Sequence, residues 1–117
     1  MTHPRAALIY TLLPDVETAR EIARTLVGER LIACANILGS IESIFAWQGD
    51  VQSAAEVAVI FKTTQKQTER AVKRLGALHP YATPAIVASA CDTAHVSTLE
   101  WLVEQTRGQR RSSIDTE

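Results

Sequence analysis

His79 stands ahead of Pro80-Tyr81-Ala82-Thr83-Pro84, a stretch whose two prolines forbid further helix and fix an extended turn. Held that way, an imidazole and a phenol are presented at set angles, as a small binding pocket requires. The alternative is structural: a protonated His79 at the end of the preceding helix is favoured by the helix dipole, and Tyr81 packs. A second group, Cys91-Asp92 with His95, offers sulfur, oxygen and nitrogen ligands to one soft divalent ion. No CxxC, second Cys-His pair or HExxH accompanies it, and Asp92 equally suits a turn or a helix cap. Cys34 and Cys91 lie in apolar runs, the setting of inert reduced thiols rather than nucleophiles, although a bridge between them stays open. The glycines are scattered at Gly28, Gly39, Gly49, Gly76 and Gly108, so none builds a phosphate loop, and neither GxSxG nor a carboxylate pair stands out. A nucleoside triphosphatase or serine hydrolase is therefore disfavoured.

The 117 residues carry 12 Lys plus Arg against 13 Asp plus Glu, a net charge of -1, and 46% are apolar. That fits one domain with an ordinary core and leaves no electrostatic surplus for nucleic acid or an anionic membrane. The first apolar stretch, Ala6 to Leu13, is closed by Pro14-Asp15 and is too short for a signal or membrane segment, so a cytoplasmic protein is expected.

The elements that must position these groups follow from the pattern. A strand is predicted over Ala7–Leu13, after which Asp15 caps a helix whose Val16, Ala19, Ile22, Ala23, Leu26 and Val27 recur at helical spacing, ending near Gly28. Leu31–Leu38 reads as a buried strand, Gly39-Ser40 as a bulge, and Ile41 to Trp47 as its continuation into a Gln48-Gly49-Asp50 turn. Val51–Thr63 is the returning strand. Arms of about 13 residues make a hairpin roughly 40 Å long, and edges that overhang a small domain are ordinarily covered by another subunit. Thr64–Leu78 reads as a helix capped by Thr64, with Thr68, Ala71, Val72, Leu75 and Leu78 inward. Ala85–Cys91 is a fourth strand and Val96–Gln105 a last helix, with Trp101 in the core and Trp47 at an interface. The order is the split βαβ pattern of a ferredoxin-like α+β fold. It fills residues 1–106, and 107–117 are expected to form a mobile tail whose Arg107, Arg110 and Arg111 are offset by Asp115 and Glu117.

Several ordered motifs carry a resemblance: Pro14-Asp15, Glu29-Arg30-Leu31-Ile32-Ala33-Cys34-Ala35-Asn36-Ile37, Ser43-Ile44-Phe45-Ala46-Trp47-Gln48-Gly49-Asp50-Val51, Phe61-Lys62-Thr63-Thr64, His79 to Pro84, and Leu99-Glu100-Trp101-Leu102. From about Leu8 to Arg107 the chain resembles the CutA divalent-cation tolerance proteins. The resemblance implies a ferredoxin-like subunit in a tight homotrimer, with long hairpins extending the sheet between neighbours, similar to PII signalling proteins. It also implies a binding or regulatory protein for copper or another divalent cation, with no organic cofactor and no established reaction. His79 matches the histidine near which the family's Cu(II) site has been placed, while Cys91 and His95 are candidate ligands outside the family pattern. Thr11, Leu78 and Ala85 stand where relatives carry cysteine, histidine and glutamate. A PII-like alternative seats a small anion in clefts between subunits lined by Trp47, Lys62, Thr63 and Tyr81. A small acylphosphatase-type enzyme shares the subunit topology and would act through Arg5 and Asn36.

Overall fold

The structure, a computed structural model, describes residues 3–108; the polar stretch from 109 onward, expected to be a mobile tail, lies outside the described residues. Its elements are β1 (Ala6–Leu13), α1 (Val16–Gly28), β2 (Cys34–Trp47), β3 (Asp50–Thr64), a 3-10 turn (Gln65–Gln67), α2 (Thr68–Leu78), β4 (Ile86–Ala90) and α3 (Val96–Gln105). The strands form one antiparallel sheet in the order β2-β3-β1-β4, giving a mixed α+β architecture with three helices. Among the described residues no helix is long and apolar enough to cross a membrane.

Strand periodicity assigns each sheet face its work. Ile9 and Leu13 of β1 and Val57, Val59 and Phe61 of β3 point to one side, where α1 adds Ala19, Ile22 and Leu26 and α2 adds Ala71 and Leu75. Burying each large aliphatic or aromatic side chain there contributes roughly 1.5–3 kcal/mol. Among the described residues the other face is covered by a helix at one end, where Leu102 of α3 meets Ala6 and Ala33. Leu8, Tyr10 and Val87 are left exposed beyond it.

The β2–β3 hairpin has arms of 14 and 15 residues. Gln48 (φ 50) and Gly49 (φ 86) form its two-residue tip between the paired Trp47 and Asp50, a mirror-image turn whose twist suits a hairpin. The register slips by one residue between Ile37 and Gly39, where Gly39 supplies a φ of 104, so the expected bulge is present. The outer arms carry Ile44, Phe45, Trp47 and Val51 as exposed side chains.

Three expectations about elements and packing are corrected. Leu31–Ala33 are buried but precede the strand, which begins at Cys34, and Ile37 and Leu38 are exposed rather than buried. The helix expected from Thr64 begins at Thr68, because residues 65–67 form a 3-10 turn and the Thr64 side chain caps nothing. Trp101 is 45% exposed on α3, so it is not a core residue of the subunit. α1 does end at Gly28, as expected, and Arg30, at a φ of 61, turns the chain out of it. Arg30 N–H donates to Val27 O and Leu31 N–H to Leu26 O, the bonding of a Schellman motif with arginine at the usual glycine position.

The choice of arginine has a physical reason. Arg30 Nη1 donates to Glu104 O at 3.4 Å and Gln105 O at 3.2 Å, placing a cation on the carbonyls that end α3. Arg30→Ala is expected to lower stability by about 1 kcal/mol through loss of those bonds. Arg30→Gly should lie close to the parent, because relief of the left-handed backbone, worth about 1 kcal/mol, offsets the loss. Denaturant titration of both variants tests this; an alanine variant as stable as the parent would contradict it.

Candidate functional site

The end of β1 and the loop after α2 bring the polar side chains of one site together. Thr11 is fully buried on the helix side of β1 and donates its hydroxyl proton to Ala85 O at 2.8 Å. His79, which closes α2 and is 8% exposed, places Nε2 at 2.9 Å from Leu12 O and 3.2 Å from Thr11 Oγ1. Tyr81 N–H lies 3.2 Å from His79 Nδ1. A carbonyl oxygen can only accept and a backbone N–H can only donate, so His79 is neutral, protonated on Nε2, with Nδ1 as acceptor. Burial lowers its pKa from the ordinary 6.5, against the opposing influence of the Leu12 hydrogen bond and the Glu56 charge. The Tyr81 ring tilts at 52° over the imidazole with centroids 4.9 Å apart. Its phenol is pushed up to about 12 by desolvation first, then by its hydrogen bond to Glu56 and by the charges of Glu56 and Asp15. Glu56 lies on β3 one residue beyond the last β1 pair, Leu13 with Val57, so the end of β1 leaves it open to Tyr81.

This arrangement is a latch: one imidazole ties the 79–85 loop to β1 with both of its nitrogens. Neither nitrogen offers a free lone pair, since one carries the proton given to Leu12 and the other receives Tyr81 N–H. The helix-end alternative is right in location and wrong in protonation, because Nδ1 accepts Tyr81 N–H and so carries no proton.

The Cys91, Asp92 and His95 group is not brought together. Asp92 pairs with Arg5 at 3.0 Å, and His95 Nδ1 caps α3 by accepting from Ser97 N–H at 3.2 Å. Cys91 is half-buried, packed like Ala94 and Leu99 against the small cluster of Ala6, Ala33 and Leu102. Among the described residues no three His, Cys, Asp or Glu side chains converge as metal ligands. A resident metal centre within one subunit therefore does not fit these residues: Thr11 and His79 spend their polar atoms on each other and on backbone. Cys34 and Cys91 are free, on opposite sheet edges. Three strand spacings separate those edges by about 14 Å, twice the reach of a disulfide.

The four cleft residues are likewise spread out within one chain. Thr63 is fully buried and donates to Leu31 O at 2.7 Å, so it holds the segment before β2 rather than lining an opening. Lys62 pairs across strands with Leu8 and Cys34, while Trp47 pairs with Asp50 at the hairpin tip, about 40 Å further along β3. Tyr81 meets β3 midway, at Glu56. The acylphosphatase-type pair does not form either. Arg5 is held by Cys91 O at 3.2 Å and by Asp92, and Asn36 lies two strands away opposite Ile60. Glu56 and the capping role of Arg30 went unforeseen, because no local spacing links Glu56 to Tyr81 or Arg30 to α3.

Known proteins align with this chain over nearly all of its described length. The family model of the CutA1 divalent ion tolerance protein matches residues 7–105. The divalent-cation tolerance protein CutA of Pyrococcus horikoshii is 39% identical over 100 residues, covering 86% of this chain and 97% of that protein. Its counterpart from Thermus thermophilus is 40% identical over 99 residues, covering 85% and 96%. The crystal structure of the divalent ion tolerance protein CutA1 from Ehrlichia chaffeensis superposes with a TM-score of 0.84 at 34% identity, covering 90% of this chain and 98% of that one. On the family match, the length of the alignments and the shared architecture, this chain belongs to the CutA1 divalent ion tolerance protein family.

Proposed function

We propose that the chain works as a homotrimer of ferredoxin-like subunits that binds rather than catalyses, with a divalent cation such as Cu(II) as a surface-bound ligand. The observation that carries the assembly is the uncovered sheet face and hairpin. Ile44 is 70% exposed, Val51 80% and Val87 64%, on strands whose outer edges have backbone groups without a partner strand. Apolar side chains in that number along paired strands mark a surface that another copy covers. Three copies around one axis would bury Trp47 of each hairpin and bring it toward Lys62 and Tyr81 of a neighbour, which one chain keeps apart. The two free thiols suit a reducing compartment, and the cytoplasm is the proposed location.

For the cation, the donor best placed is His95. Its Nδ1 caps α3, while Nε2 of this exposed ring is left for a ligand. Cu(II) favours imidazole nitrogen, so binding is expected at His95 and at the protein surface rather than at the latch. In a Cu(II) titration of the full chain, His95→Ala should weaken binding about tenfold, the loss of one nitrogen ligand. His79→Ala should leave the affinity within about twofold. Loss of binding in His79→Ala alone would overturn this assignment.

A further inference from the structure

A concavity of the subunit lies away from the latch, where β3 passes into α2. It encloses about 650 Å3 between the residues that lead into β1, the 3-10 turn and the end of α3, within the range of small-molecule sites. Its charge is one-sided: Arg5, Lys66 and Arg107 line it and no carboxylate does, in a chain whose net charge is -1. Arg5 and Arg107 have exposed partners outside the lining, Asp92 at 3.0 Å and Glu104 at 3.3 Å, of the kind that exchange readily for a competing anion. Lys66 makes no ion pair among the described residues.

The wall is also polar where polar groups are costly. Thr64, Gln67 and Thr106 are three of the six buried polar residues of the subunit among those described, and all three line this cavity. Gln67 is 5% exposed and donates through Nε2 to Thr106 O at 2.9 Å, which fixes its amide orientation. Its Oε1 is then a buried acceptor without a donor. Such an orphan is rare in a folded protein and calls for a proton from something that enters the site. We propose that this cavity binds a small phosphate monoester bearing hydroxyl groups: the dianion between Lys66, Arg107 and Arg5, a hydroxyl donating to Gln67 after a small turn of its amide. Pro4 and Val103 supply the apolar side that a carbon skeleton would lie against. The proposal rests on neither the trimer nor the cation reading.

The test is a nuclear magnetic resonance titration of the full chain with ribose 5-phosphate, beside inorganic phosphate and ribose at matched ionic strength. Saturable shifts are expected at the backbone amides of Lys66, Gln67, Thr106 and Arg107 with ribose 5-phosphate, and none with ribose. Lys66→Ala, at an exposed position that bears no packing load, should weaken binding about tenfold. Gln67→Leu should reduce ribose 5-phosphate to the affinity of inorganic phosphate. Absence of saturable shifts at those amides, or unchanged binding in Lys66→Ala, overturns the site. Equal binding of inorganic phosphate and ribose 5-phosphate to the parent chain overturns the monoester assignment.

Discussion

Replacing His79 with alanine is expected to destabilise the subunit by about 3 kcal/mol, the cost of orphaning buried polar groups and opening a small cavity. The residue serves Leu12 O, Thr11 Oγ1 and Tyr81 N–H at once, and no other side chain near it can replace all three contacts. The effect also carries a pH signature with a definite sign. Burial lowers the pKa of His79 below its ordinary 6.5, so between the two values the unfolded chain binds a proton that the folded chain does not. The stability supplied by the neutral ring is complete above 6.5 and is lost as pH falls through the lowered folded value. Protonation at Nδ1 would set an N–H against the Tyr81 N–H and release the loop from its latch. Denaturant midpoints of the parent and His79→Ala, measured from about pH 7.5 to 5, should converge on the acid side. A gap that stays constant across that window would mean that the ring is not held neutral.

Shortening the hairpin by residues 43–54 and closing it with Asn-Gly is expected to leave a folded subunit that no longer assembles. The helix-side core draws nothing from residues 36 to 56 among those described: from the hairpin it takes Val57, Val59 and Phe61, on the inner half of β3, with Ala35 packed against that core. What the cut removes is Ile44, Phe45, Trp47 and Val51, exposed in the single chain and therefore contributing little to its own stability. Trp47→Ala alone should weaken association by about 2 kcal/mol, roughly thirtyfold, if its indole is an anchor between subunits. Circular dichroism should report retained helices in the shortened form, and sedimentation should report its dissociation. A shortened chain that still assembles at the parent concentration would place the interface elsewhere.

How much was legible beforehand depended on whether the cause was local. The strand, helix and turn order, the tip at Gln48-Gly49 and the bulge beside Gly39 come from periodicity and from residues that tolerate positive φ, and these signals sit within a few positions of each other. The start of α2 was misread because Thr64 to Leu78 shows a continuous helical pattern. What distinguishes the 3-10 turn is the backbone bond from Thr68 N–H to Gln65 O, three residues back, which no side-chain spacing reports. The role of Arg30 was hidden because its partners are carbonyls some 75 residues away in sequence. The site divides in the same way. Pro80 and Pro84 announced a fixed turn around His79, but whether that ring serves a ligand or the fold is decided by Leu12 and Thr11, which no spacing rule connects to it. Trp101 was assigned to the core because a helical stripe says which residues share a face and not what that face meets.

In the proposed trimer the open sheet face and the hairpin are covered by two further copies of the chain. The mass of the full chain in solution, by sedimentation equilibrium at micromolar concentration, tests it most directly. One species of three times 12.8 kDa, unchanged on moderate dilution, is the expected result. A single species of 12.8 kDa, with Trp47 as accessible to quencher as a free indole, would contradict it.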